Sequence, residues 1–100
     1  MLRFPIDPAA ITSSSSNTVA VEGNSVTLYC NATGNPTPKI TWTKDGNNTV
    51  LNAGESFTVS NITRQQAGDY TCKVRNGIGS EDSAAVSVTV HCKLLLFQVK

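Results

Sequence analysis

Three cysteines and a single histidine are the residues of this 100-residue sequence best suited to covalent or metal chemistry. Cys30, Cys72, Cys92 and His91 make a zinc set in number. Zinc sites, however, hold ligands in short pairs such as Cys-x-x-Cys, and none occurs here. His91 and Cys92 are neighbours, and adjacent side chains of an extended chain point to opposite faces, so they cannot form a hydrogen-bonded nucleophile–base pair. The carboxylates of Asp45, Glu55, Asp69, Glu81 and Asp82 fall in turn-forming stretches, where acidic side chains serve ordinary turn roles. No glycine-rich loop opens a helix to cradle a phosphate. The sequence therefore reads as a non-enzyme with no metal and no cofactor. Cys92 is left as a tail thiol, an intermolecular bridge, or half of a bond whose partner lies outside this chain.

A second chemistry is marked by Asn-x-Ser/Thr. The sequons Asn31-Ala32-Thr33, Asn47-Asn48-Thr49 and Asn61-Ile62-Thr63 are candidate N-glycosylation sites. Nine asparagines among 22 serines and threonines would give roughly two such triplets by chance, so placement has to carry the argument. Asn31 is out of phase with its neighbour Cys30, Asn47 lies in a turn, and Asn61 alternates away from a core position.

Composition narrows the class. Apolar residues make up 39% and charged residues 15%, which suits one folded domain with a modest core. A formal net charge of +1 excludes bulk attraction to nucleic acid or a membrane surface. The start, MLRFPIDPAA, lacks the apolar run of a signal peptide. The end, KLLLFQVK, has four consecutive apolar residues, far short of the ~20 needed to cross a bilayer. An extracellular protein would therefore carry this chain as a piece of something larger. The expected division is 1–4 as a leading segment, 5–92 as the domain and 93–100 as a tail.

The elements that position these residues are strands. Residues 5–18 mix prolines with TSSSSNT and suggest a loosely held leading strand with a bend. From Val19 onward the period is two. Val26, Leu28 and Cys30 share a face, as do Ile40 and Trp42. So do Phe57 and Val59, then Tyr70, Cys72 and Val74, and finally Val86, Val88 and Val90. The turn clusters EGN, GNPTP, KDGNN, NAGE, RQQAGD and NGIGS separate them. ITRQQAG has room for one helical turn. Short strands at this spacing, without helical periodicity, indicate an antiparallel sandwich or small barrel.

Cys30, Trp42 and Tyr70-x-Cys72 follow in that order, all pointing inward. With VEGNSVTLYC, GNPTPKITWTKDG, AGDYTC and NGIGS, they resemble immunoglobulin domains of the intermediate or C2-like sets over residues 5–92. The resemblance implies an all-β, immunoglobulin-like antiparallel β-sandwich. It further implies an inter-sheet disulfide between Cys30 and Cys72, Trp42 packed on it, and a Tyr70 hydroxyl bonded to the backbone of the preceding turn. The alternative for the cysteines is a pair of buried free thiols, as in intracellular muscle immunoglobulin domains. Two departures stand out. Gln66 occupies the place of the family's usual Asp, which puts the salt bridge or cap built on that residue in question. The span from Trp42 to Tyr70 is short enough to reduce the intervening strand to a turn.

With no catalytic constellation, function must lie in a surface. Lys39, Thr41, Thr43, Thr71, Lys73 and Arg75 alternate outward on the strands bearing Trp42 and Cys72, and Ser87 and Thr89 continue that face. It is a mildly basic candidate binding face without tryptophan or tyrosine, and threonine also suits a merely solvated strand. The resemblance implies an extracellular recognition module of a cell-surface adhesion molecule or receptor. Its partner would be a protein or glycan, neighbouring immunoglobulin domains, or a second copy of itself. The alternative is a structural spacer in a modular matrix or sarcomeric-type protein.

Overall fold

The alternating runs become strands in the computed structural model, which describes residues 6–47 and 49–92. They are β1 (Asp7–Ser14), β2 (Thr18–Val21), β3 (Val26–Asn35), β4 (Lys39–Lys44), β5 (Asn52–Ala53), β6 (Ser56–Val59), β7 (Gly68–Arg75) and β8 (Asp82–His91). A single 3-10 turn at Arg64–Gln66 precedes β7, in the stretch with room for one helical turn. The expected segments 1–4 and 93–100 lie outside the described residues.

Two sheets face each other, one ordered β1-β3-β6 and the other β2-β8-β7-β4-β5. Among the described residues, all strand pairings are antiparallel except β2 with β8. The chain changes sheets at Ser15–Asn17, and small polar side chains make the crossing possible because they can bond backbone on either side. Tyr29 N donates to Ser15 Oγ at 2.7 Å, anchoring the crossing to β3. Ser87 N donates to Asn17 Oδ1 at 3.0 Å, anchoring it to β8. The leading segment bends as expected, but it is tied to both sheets instead of loosely held.

The inward residues fill the space between the sheets. Trp42, Leu28, Ile62, Val74, Val86, Cys30 and Cys72 are fully buried, and no polar or charged residue is buried among the described residues. Cys30 and Cys72 form a disulfide that ties β3 to β7 across the two sheets. Closing that loop contributes about 4 kcal/mol in the chain-entropy picture, a large share of a small domain's stability. The Phe57 ring centroid lies 6.2 Å from that of Trp42 and 5.9 Å from that of Tyr70. The span from Trp42 to Tyr70 is not reduced to a turn. Asn52 and Ala53 form a two-residue strand paired with Trp42 and Thr41.

Candidate functional site

The register of β4 on β7 converts the expected face into three cross-strand pairs. Lys39 stands opposite Arg75, Thr41 opposite Lys73, and Thr43 opposite Thr71. All six side chains leave the core because Ile40, Trp42, Cys72 and Val74, at the intervening positions, are buried. A shallow depression of about 220 Å³ lies on this face, lined by Lys39, Thr41, Thr43, Lys73 and Arg75. Val50 and Glu81 complete its wall.

Three details differ from expectation. Thr71 is on the face but does not line the depression; its hydroxyl donates to Asp45 Oδ1 at 3.2 Å. Ser87 and Thr89 share the face parity but lie farther along the sheet, since Ser87 pairs with Asp69. The β8 residues opposite Lys73 and Thr71 are Ser83 and Ala85. Val50 and Glu81 were missed because each arrives from a connection between strands, where no alternation marks which way a side chain points.

Charge is the distinctive property of the site. Lys39 and Arg75 oppose each other directly, an arrangement that destabilises a sheet. Neither they nor Lys73 has a carboxylate within 4.0 Å among the described residues, where the ion pair formed is Arg64 with Glu22 at 3.4 Å. A second depression, of about 380 Å³, adjoins the first at the end of the sheet. Lys39 and Arg75 line it too, with Thr37, Asn76 and Gly77.

Asn76 fixes this end of the sandwich. Its Nδ2 donates to Asp7 O at 2.7 Å and to Pro36 O at 2.8 Å, while Ile78 N donates to its Oδ1 at 3.1 Å. One side chain thus joins the start of β1, the β3–β4 turn and the β7–β8 turn. At the opposite end, the Tyr70 hydroxyl donates to Gln66 O. Burial pushes the Tyr70 phenol above its ordinary value of 10.0. The cap expected from Asp is supplied by Gln66, whose Oε1 accepts from Thr63 N at 2.8 Å.

The sequon asparagines occupy other surfaces. Asn31 projects from β3 on the three-stranded sheet, its Nδ2 3.2 Å from Ser13 Oγ. Asn61 follows β6 with φ of 51°, a left-handed conformation that asparagine tolerates better than most residues. Asn47 sits in the β4–β5 connection and accepts from Thr49 N at 2.8 Å through Oδ1. All three are exposed. Cys92 is a half-buried free thiol beyond the end of β8. Among the described residues, no three His, Cys, Asp or Glu side chains converge into a metal-ligand group, and no helix is long and apolar enough to cross a membrane.

Comparison with known proteins agrees with this architecture. Residues 8–76 match the immunoglobulin domain family. The chain is 42% identical over 87 residues to IgLON family member 5 of Homo sapiens, a match covering 84% of this chain and 25% of that protein. It is 40% identical over 87 residues to the limbic system-associated membrane protein of Gallus gallus, with the same 84% and 25% coverage. It thus spans a quarter of the length of these relatives. In three dimensions it superposes on a chain of the crystal structure of Dpr11 IG1 bound to DIP-gamma with a TM-score of 0.81. That match has 32% identity and covers 86% of this chain and 49% of the other. The two-sheet sandwich, the disulfide between its sheets and the family match together make this chain a member of the immunoglobulin family.

Proposed function

We propose that this domain is an extracellular recognition module of a cell-surface adhesion molecule or receptor, binding a protein partner through the outer face of β4 and β7. The observation that carries this reading is the depression on that face, framed by the Lys39–Arg75 and Thr41–Lys73 pairs. Its support is chemical as well as geometric. Small threonine side chains leave the floor open, while the surrounding strands and the Cys30–Cys72 bond hold the lining residues in fixed relation, which lowers the ordering cost of binding. A structure similar to this chain is an immunoglobulin domain complexed with another immunoglobulin-containing protein, and a similar sequence is named as a membrane protein. The face lacks the aromatic anchors of strong hot spots, so one domain binds weakly and the parent protein gains strength from neighbouring domains.

N-glycosylation at Asn31 or Asn61 belongs to the same proposal. Neither residue lies on the β4–β7 face, so glycans there leave the depression open.

The test uses the chain multimerised on beads against a panel of immunoglobulin-domain ectodomains. Thr41→Trp, which fills the depression, should abolish capture of any partner, whereas Tyr29→Arg on the exposed face of β3 should not. The reverse pattern would move the site to the three-stranded sheet. Absence of any capture would favour the structural spacer reading.

A further inference from the structure

We infer that the β4–β7 depression is built for a carboxylate-bearing segment of a different protein, and that the domain does not pair with itself through this face. The inference rests on the reading of that face as the recognition surface and adds the chemistry of the partner.

The cations of this face are uncompensated. Lys39 and Arg75 are direct cross-strand partners, and Lys73 lies two residues from Arg75 along β7 on the same side. Like charges held opposite each other oppose strand pairing. Yet none of the three reaches a carboxylate within ion-pair distance among the described residues, although Glu81 lines the same depression. Elsewhere, cations of this molecule do find acceptors. Arg64 pairs with Glu22, and Lys44 Nζ donates to Gln65 O at 2.9 Å while lying over the Tyr70 ring. The three on the face are left with donors to spare. Because Lys39 and Arg75 also line the second depression, the cationic surface continues past the sheet end toward Asn76 and Gly77.

The acidic and apolar neighbours of the cations select the kind of anion. A sulfated polysaccharide is negative along its whole length, and lying in the depression along β4 and β7 it meets Glu81 in the wall and Asp45 and Asp69 at the other end of these strands. A protein segment can place one or two carboxylates against the cations and present a neutral or basic group to Glu81. The apolar Val50, 53% exposed beside the cations, gives such a segment a nonpolar contact that a sulfated sugar cannot use as well.

The charge of the face also opposes self-pairing. In a two-fold symmetric contact the same patch appears on both sides. Three cations and one Glu81 would then face three cations and one Glu81, and each glutamate could offset only one opposing cation. Repulsion between juxtaposed like charges selects against that partner.

The experiment is an amide chemical-shift titration of the ¹⁵N-labelled chain at low ionic strength. The probes are a capped octapeptide alternating Glu and Thr, its Gln–Thr counterpart, and a heparin-derived tetrasaccharide; a dilution series of the chain alone is run beside them. The Glu peptide should move the amides of Thr41, Lys73 and Arg75, and the Gln peptide should not. Lys73→Glu, with its spectrum otherwise unchanged, should weaken the response about fivefold, and Arg75→Gln should weaken it as well. No response to the Glu peptide, or a response confined to β1, β3 and β6, overturns the carboxylate assignment. It leaves the recognition face to stand or fall on the Thr41→Trp capture test. A tetrasaccharide that moves the same amides at lower concentration than the peptide overturns the assignment to a protein partner. Concentration-dependent shifts at Thr41, Lys73 and Arg75 in the chain alone overturn the exclusion of self-pairing.

Discussion

Replacing Gly34 by alanine tests whether Asn76 is the clamp that sets the end of the sandwich carrying Lys39 and Arg75. Gly34 does not have a left-handed backbone, so its role is space. A β-carbon there would sit 2.9 Å from Asn76 Nδ2, 3.1 Å from Ala9 Cα and 3.2 Å from Pro38 Cγ. The Asn76 amide cannot swing away without surrendering its bonds to Asp7 O and Pro36 O, each worth about 1 kcal/mol. The contact with Ala9 Cα is with backbone and cannot rotate away; overpacking of this kind costs about 1–3 kcal/mol. Restricting the unfolded chain returns about 0.4–1 kcal/mol. The expected net loss is about 2–4 kcal/mol, or a fall in Tm of roughly 10–20 °C for a domain of this size.

Urea denaturation followed by Trp42 fluorescence measures the loss, and a double-mutant cycle assigns it. In an Asn76→Ala background the amide is already gone, so Gly34→Ala should cost about 1–2 kcal/mol less than in the wild type. If the cost is the same in both backgrounds, the clamp is not what Gly34 protects. A Gly34→Ala variant as stable as wild type would show that the whole close approach is dispensable.

Other expectations follow from the same structure. Non-reducing peptide mapping should recover Cys30 and Cys72 in one linked fragment. Cys30→Ala should cost about 2–5 kcal/mol, and recovery of both as free thiols from oxidised native protein would refute the pairing. Chain exported from animal cells behind a secretion signal should lose mass on peptide-N-glycosidase treatment; unmodified Asn31, Asn47 and Asn61 would reduce the three sequons to chance. Burial raises the Tyr70 pKa in the folded state, so that state holds the phenolic proton more tightly than the unfolded chain does. The associated stability is present below pH 10 and is lost as pH rises through the folded-state value. Tyr70→Phe should lower stability at neutral pH and flatten this alkaline decline, and an unchanged slope would assign the decline to another group.

What could be read from the sequence was whatever one buried face imposes on alternate residues. β3, β4, β7 and β8 bury alternate side chains over part of their length (Val26, Leu28 and Cys30; Ile40 and Trp42; Tyr70, Cys72 and Val74; Val86 and Val88), so these inward sets and the outward row from Lys39 to Thr43 were legible in advance. β5 was not, because Asn52 and Ala53 join β4 through backbone bonding and neighbouring amides do the same: Leu51 N donates to Trp42 O and Gly54 N to Ile40 O. Backbone pairing of so short a strand leaves no pattern in side-chain types. Asn76 was invisible for a different reason, since its partners Asp7 and Pro36 are 69 and 40 residues away. The depression shows both limits together: its floor follows from alternation, and its Val50 and Glu81 walls follow from how two connections fold back over the sheet.

The substitution at Gln66 shows how one departure from the family pattern is absorbed. An Asp at this place would bring a formal charge to the 3-10 turn. Gln66 instead brings a neutral acceptor, and its Oε1 still takes the Thr63 N–H that the start of the turn leaves without a helical partner. The turn closes through Gln66 N to Thr63 O at 3.0 Å, which leaves Gln66 O facing the Tyr70 hydroxyl. Arg64, with no carboxylate at position 66 to meet, pairs with Glu22 at the surface, where such a pair adds at most about 1 kcal/mol. Lys44 then closes the other side by donating to Gln65 O. The corner needs an oxygen at position 66 and a backbone carbonyl below Tyr70, and glutamine supplies both. The sandwich therefore keeps β7, and with it Lys73 and Arg75, in register without a carboxylate at that position.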